Sequence, residues 1–398
     1  MKEQPGTGPE RPEKNILQYL HDRQVRAVII QAAVFSAIVA LLAFAAMNTA
    51  GNLAKAGITS GFGFLQQAAG FDISQTLIEY SRGSSYGRAF FVGLLNTLVM
   101  SAVVIAASTL MGFVLGITRL SPNWLVSRMT AVWIDIIRNI PLLLQIFFWY
   151  IAILSPLPGP KQALSMGGVY LCNRGLIMPR PIFEDGIWVA GVAVALACAC
   201  AVALHRWARN RQRATGKPFP VWRSVPAILV LLPLAGLALA GFPVTFEAPV
   251  MKGFNFQGGL TVIPEFTALA LSLTLYASAF IAENVRAGIE SVSHGQQEAA
   301  QALGLRPGQT MRMIIIPQAM RVIIPPLTSQ HLTSVKNSSL AVVIGYPDLM
   351  SIFAGTTLNQ TGQAVEIIAI TMLVYLTASL LISGFMNWYN RKMAIVER

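Results

Sequence analysis

Long apolar runs alternate with short polar stretches along most of this chain. Each run has about the 20 residues that a helix needs to cross the hydrocarbon of a bilayer. The first is Ala27 to Met47, behind Lys14, Arg23 and Arg26. Its full-span length, with no small-residue cleavage site to close it, reads as a membrane span rather than a signal peptide. Further runs lie at Arg88 to Ile117, Ala131 to Leu154, Gly186 to Leu204, Val225 to Phe242, Phe266 to Ala282, Val322 to Tyr346 and Ala364 to Met386. The pattern predicts an all-α polytopic membrane bundle of about eight transmembrane helices. Residues 1–15 are polar and Pro/Gly-rich and are expected to be disordered. Ile73 to Tyr80 is expected to form a helix along the membrane interface, and Ser155 to Asp185 a Pro/Gly-rich loop. Pro325-Pro326 is expected to interrupt the seventh span.

Basic residues sort the connecting segments by side. Arg119 and Arg128 come after the second run, Arg286, Arg306, Arg312 and Arg321 after the sixth, and Arg391 and Lys392 after the last. His205 to Lys217 reads H-R-W-A-R-N-R-Q-R-A-T-G-K and is the strongest such marker. Segments 48–87, 155–185 and 243–264 are poorer in Lys and Arg. An excess of Lys and Arg marks the cytoplasmic side, so both termini are expected inside. The basic run reads as a solvated loop fixing this topology, with lipid or partner binding as its alternative.

Composition agrees. Of 398 residues, 54% are hydrophobic and 12% charged, where soluble domains carry about 25% charged residues. The net charge of +12 is spread over short loops rather than one patch, which suits a membrane surface and not nucleic acid. Cys172, Cys198 and Cys200 give neither a disulfide framework nor zinc spacing, and the four histidines are scattered. No G-x-x-x-x-G-K-[ST] occurs, so a nucleotide-driven process needs its ATPase on another chain.

Polar groups inside the apolar runs are costly in lipid and normally face a cavity or one another. Asp135, Arg138, Asn139, Pro141 and Gln145 cluster at the start of the third run. Arg138 can serve a path or pair with Asp135 at i, i+3. Glu283 can serve a path or pair with Arg286, and Lys336 and Ser339 lie within the seventh run. Tyr276 and Phe280 with Pro141 can form a gate or simply pack. Gly112 and Gly116 form a small-xxx-small pair that lets a second helix approach.

The cytoplasmic stretch Glu298 to Pro317 reads EAAQALGLRPGQTMRMIIIP. Helix formers run to Leu303, Gly304 breaks them, Pro307-Gly308 breaks them again, and a second helical run is expected over Gln309 to Ile316. Ala299, Ala302 and Leu303 share one face, the pattern of a helix that docks into a groove. Glu298-Ala299-Ala300, Gly304, Ile314, Ile316 and Pro317 resemble the EAA loop of binding-protein-dependent ABC import permeases, with Ile at a position where Leu is commoner. The resemblance implies a coupling helix seated on an ATPase subunit. Its contact residues would be Glu298, Ala299, Ala300, Ala302, Leu303, Gly304, Leu305, Arg306, Pro307, Met311, Ile314 and Pro317. Glu298 would cap or pin the helix and Gly304 would permit the turn.

The resemblance extends further. Gly93-Leu-Leu-Asn96-Thr97, Arg138-Asn-Ile-Pro141-Leu-Leu-Leu-Gln145, Pro317-Gln318-Ala-Met-Arg321-Val-Ile-Ile-Pro325 and Val335-Lys336-Asn337-Ser338-Ser339-Leu340 are similar to stretches of polar amino acid permeases. Asn139-Ile140 replaces Gly-Thr there, and Asn337-Ser338 replaces Asp-Thr. The enlarged plan resembles the general L-amino acid permeases: residues 1–87 with an extra span, core 88–154, an inserted two-helix hairpin in 155–264, core 265–390 with the coupling loop 283–321, and a tail 391–398. The resemblance implies a type I ABC importer permease subunit in a bacterial inner membrane, not an enzyme and without a cofactor of its own. Its partners would be a second permease subunit, a homologous heterodimer partner, and two ATP-binding subunits carrying ATP and Mg. A periplasmic binding protein would deliver L-amino acids. The path would be lined or gated by Arg138, Pro141, Gln145, Tyr276, Phe280, Glu283, Lys336 and Ser339. The rival readings are a permease for an opine or similar solute, an ion-coupled secondary transporter, which would want matched repeats, and a membrane enzyme, which would want a metal or nucleophile cluster.

Overall fold

The structure is a computed structural model, describing residues 23–55, 61–217 and 219–393. The expected disorder of residues 1–15 lies outside them. The helix α1 (Arg23–Lys55) contains the first span. The core helices are α2 (Tyr86–Arg119), α3 (Trp124–Asn139) and the short α4 (Leu142–Phe147), which continues as a wider turn, Phe148–Leu154. Then come α5 (Ile187–Thr215), α6 (Val221–Leu239) and α7 (Pro264–Glu290). Among the described residues six helices are long and apolar enough to cross a membrane, and α3 with the α4 segment makes a seventh, bent by 101°. The seventh expected span, Val322 to Tyr346, holds a helix of sufficient length, Ile316–Asn337, but it carries Arg321, Gln330, His331 and Lys336.

Several boundaries differ from expectation. The third span is broken rather than straight: Ile140, ahead of Pro141, takes an extended backbone, as residues before proline do. The Gln145 side chain then donates to the carbonyls of Ile137 (2.9 Å) and Ile140 (3.0 Å), which the break leaves without helical partners. Pro325 and Pro326, expected to interrupt the seventh span, lie inside the continuous helix Ile316–Asn337. That helix tightens to a narrower one at Ser338–Ile344 and stops at Gly345, in the left-handed region at φ +75°.

The closest packing is α2 against α7. A Cβ at Gly112 would lie 2.6 Å from Ile281, and one at Gly116 would lie 2.7 Å from Val285, so the small-xxx-small pair is what lets the two backbones meet. Gly93 works the same way near the other end of α2, where its Cβ would be 3.0 Å from the Leu349 backbone. The loop Tyr346–Leu349 is seated there by polar contacts. Asn96 Nδ2 donates to the Pro347 carbonyl (2.8 Å) and to the Gln75 carbonyl (2.9 Å), and Leu349 N donates to Thr97 Oγ1 (2.9 Å). Residues 73–80 are therefore pinned as irregular chain and not as the expected interface helix. The Gln75 carbonyl accepts from Asn96 instead of a helical amide.

The loops beside the inserted hairpin hold a small β-structure that the apolar pattern does not announce. Its strands are β1 (Leu164–Met166), β2 (Val169–Cys172), β3 (Gly175–Met178), β4 (Arg180–Phe183), β5 (Val244–Glu247), β6 (Val250–Lys252), β7 (Asn255–Gln257) and β8 (Leu260–Val262). A four-stranded antiparallel sheet has order β1-β2-β3-β8, and two more antiparallel pairs join β4 to β5 and β6 to β7. These strands close the ends of the α5–α6 hairpin, where Gly236 admits Ala193. They also deliver the chain directly into α7, which begins at Pro264.

Candidate functional site

Two arrangements carry the expected chemistry. The first is the coupling stretch. The helix α8 (His294–Ala302) ends at Leu303, and Gly304 comes next at φ +72°. Gly304 N donates to the Gln301 carbonyl (2.9 Å) and Leu305 N to the Ala300 carbonyl (3.1 Å), the two reverse bonds that close a helix through a left-handed residue. Pro307 is the first residue of the next helix, α9 (Pro307–Thr310), and not a second break. The chain then runs on through a widened turn, Met311–Ile315, into α10 (Ile316–Asn337). Gln318 Nε2 donates to Gln296 Oε1 (3.3 Å) and ties α8 to the root of α10.

This knob buries Ala300, Thr310 and Ile315 and leaves Glu298, Ala299, Ala302, Leu303, Arg306, Pro307 and Met311 exposed. Leu303 stands 78% exposed, so the expected docking face is unfilled within this chain. Leu305, Ile314 and Pro317 do not all share that face: Leu305 and Pro317 are half-buried at its base, and Ile314 is half-buried beside them. Glu298 does not cap α8. It is the fifth residue of that helix, past the free amides of the first turn, and has no hydrogen bond or ion pair among the described residues.

The second arrangement is charged. Glu283 on α7 accepts from Arg119 of α2 (2.5 Å) and from Arg286 of its own helix (2.5 Å), with Arg138 of α3 at 4.0 Å. Arg286 also pairs with Glu290. The Arg138 guanidinium lies over the Phe280 ring at 5.1 Å, and Phe280 and Tyr276 hold their ring centres 4.9 Å apart. The structure thus brings together Arg138, Tyr276, Phe280 and Glu283. Arg138 does not pair with Asp135, for which no ion pair occurs among the described residues. At i, i+3 on α3 the two could meet, but Glu283 on the facing helix takes the arginine. Arg119, in sequence only a marker of sidedness, is here a close partner of Glu283.

Pro141 and Gln145 belong to the broken helix, with Gln145 occupied by backbone carbonyls. Lys336 and Ser339 line a separate cavity of about 400 Å³ with Met350, Thr371 and Tyr375, and Lys336 has no acidic partner among the described residues. The polar seat of Asn96, Thr97 and the fully buried Asp348 is not apparent as a unit from sequence, since its members lie some 250 positions apart. The signal available is an Asp inside an apolar stretch. Among the described residues no group of His, Cys, Asp or Glu could hold a metal ion.

Comparison with known proteins places these features. The family model described as binding-protein-dependent transport system inner membrane component matches residues 218–395. The putative amino-acid ABC transporter permease protein YhdX of Escherichia coli K12 is 52% identical over 375 residues, covering 94% of this chain and 95% of that protein. The general L-amino acid transport system permease protein AapQ of Rhizobium johnstonii is 49% identical, covering 95% of both chains. The glutamate/glutamine/aspartate/asparagine transport system permease protein BztB of Rhodobacter capsulatus is 39% identical over 423 residues, covering 98% of this chain and 99% of that one.

Proposed function

The chain belongs to the amino-acid ABC transporter permeases, multi-pass subunits of inner-membrane importers, and from that premise we propose that it conducts polar L-amino acids of broad type. Both termini lie in the cytoplasm on this reading. Its partners are a related second permease chain, two ATPase subunits that carry the nucleotide and magnesium, and a periplasmic binding protein. The observation that carries the reading is the knob: a capped helix with an unfilled apolar face, continuous through its root with a membrane helix. The ATPase groove receives Leu303, Ala299 and Ala302. ATP-driven closure displaces the knob, and α7 and α10, which flank it in sequence, carry the displacement to the path.

A zwitterionic solute needs groups of both signs shielded from lipid. Lys336, with no acidic partner at its cavity among the described residues, offers the cation for a carboxylate. Arg138, over Phe280 and only loosely held by Glu283, forms the inner gate with Tyr276. Breadth of substrate accords with the relatives named for general and for acidic and amide amino acids. The test is reconstitution of the chain with its ATPase, second permease and binding protein in vesicles. Uptake of labelled glutamate, glutamine and neutral amino acids that requires ATP at the ATPase face supports the proposal. Uptake driven by an ion gradient without ATP, or confined to an opine, overturns it.

A further inference from the structure

Independently of the solute, we infer that the α5–α6 hairpin carries a docking surface for anionic phospholipid headgroups on the coupling side of the membrane. The sidedness comes from chain connectivity. α7 runs from the β-structure to the coupling knob, α6 leads into that same β-structure, and so the opposite end of the hairpin faces the knob's side. The basic run expected as a loop is not one: α5 continues through it to Thr215. From Ile187, the hydrocarbon is crossed in about 20 residues, which brings the helix to headgroup depth near His205 and Arg206.

From there Arg206, Arg209 and Arg213 recur at i, i+3, i+7 and share one exposed face with His205. Lys217 and Arg223 flank it on the turn and on α6. No Asp or Glu occurs between Asp185 and Glu247, and none of these cations has an ion pair among the described residues. Among the described residues nothing supplies their counter-charge. Aromatic side chains fix the depth: Trp207 and Phe219 meet edge to face at 5.4 Å with Arg211 over Trp207 at 5.3 Å, and Arg223 lies over Trp222 at 4.6 Å. Half-exposed tryptophan with arginine stacked on it suits the headgroup boundary. Fixing topology needs the charges alone. A continuous helix presenting them as a stripe, with an aromatic collar, is what an anionic leaflet recognises.

The test uses the complete importer in bilayer discs of phosphatidylcholine doped with spin-labelled phosphatidylglycerol or spin-labelled phosphatidylcholine. The wild type is expected to hold an excess of the anionic lipid that about 0.5 M salt reduces. The joint variant Arg206→Gln, Arg209→Gln, Arg213→Gln, Lys217→Gln should bring the preference down to about unity, while Arg206→Lys, Arg209→Lys, Arg213→Lys retains it. A photo-crosslinker at Gln212 should give phospholipid adducts. An unchanged preference in the Gln variant, equal loss in the Lys variant, or adducts only to an ATPase or permease subunit would each overturn the inference.

Discussion

Gly304 is where a single backbone angle should decide coupling. It sits at φ +72°, and a Cβ built there meets nothing within 4 Å, so an added methyl group has no steric cost inside the chain. What remains is conformational: an L-residue in the left-handed region costs about 1–2 kcal/mol, less for Asn, which tolerates it. The C-terminal end of α8 is held by two reverse bonds and buried Ala300, and the helix is tied to α10 by the Gln318–Gln296 bond. A penalty of about 1–2 kcal/mol shifts its capped-to-frayed ratio by about 5–30-fold. The assay is amino acid taken up per ATP hydrolysed by the reconstituted importer, with assembly checked by co-purification. Gly304→Ala and Gly304→Leu should assemble yet waste ATP, and Gly304→Asn should fall between them and the wild type. If Ala couples as well as Gly, or Asn is no better than Ala, the backbone argument fails. If Leu is far worse than Ala, the side chain is clashing with the partner and φ is not the cause.

The packing sets further expectations. Gly112→Val should cost about 1–3 kcal/mol by overpacking, because its Cβ would lie 2.6 Å from Ile281 and 3.0 Å from the Ser278 carbonyl; the thermal midpoint in detergent measures it. Asn96→Leu removes the donor from the buried Pro347 carbonyl and the half-buried Gln75 carbonyl and should cost about 2–4 kcal/mol, whereas Asn123→Ala, a surface cap that accepts from Leu125 N and Val126 N, should cost about 1 kcal/mol. Gln145→Leu should straighten or loosen the 101° break, and a spin-label distance across Pro141 will read the change. Glu283→Gln leaves Arg119 and Arg138 unneutralised and Arg286 with Glu290 alone, and a double-mutant cycle with Arg119→Gln should recover part of the loss; strict additivity would show that the pair does not matter.

Most of the helical plan is legible in the sequence because lipid permits little else: runs of full-span length must be helices. Gly112 and Gly116 are legible for the same reason, since close approach in lipid requires small residues. The departures are local and physical. Asp135 and Arg138 satisfy i, i+3 spacing, yet α7 offers Arg138 a carboxylate from another helix, and periodicity on one element cannot see that. The run from His205 looks like a loop only if charge is assumed to end a helix. Arginine is a good helix former, and the helix continues until Gly216. Residues 73–80 have helical composition, but Asn96, remote in sequence, claims the Gln75 carbonyl. The β-strands beside the hairpin are three or four residues each, too short for alternation to register, and all but β2 and β3 are largely exposed.

The same contacts explain why α7 is the natural lever of the proposed mechanism. On one helix it carries Ile281 and Val285, which fit against Gly112 and Gly116, and Glu283, which gathers the arginines of α2 and α3. It also carries Phe280, under Arg138. The coupling helix begins just beyond its end, after the turn Ser291 to Ser293. Glycine contacts tolerate sliding poorly, because every added displacement meets backbone, so α2 and α7 move together. Arg138 is the looser member of the ion cluster, 4.0 Å from Glu283 where Arg119 and Arg286 stand at 2.5 Å. Its helix is also the one already broken. A push on the knob therefore finds α2 and α7 rigid and yields at the Arg138 contact. That predicts an order of motion: labels on α3 and α7 should separate during the ATP cycle while labels on α2 and α7 keep their distance, and a cycle in which the second pair moves more than the first would refute it.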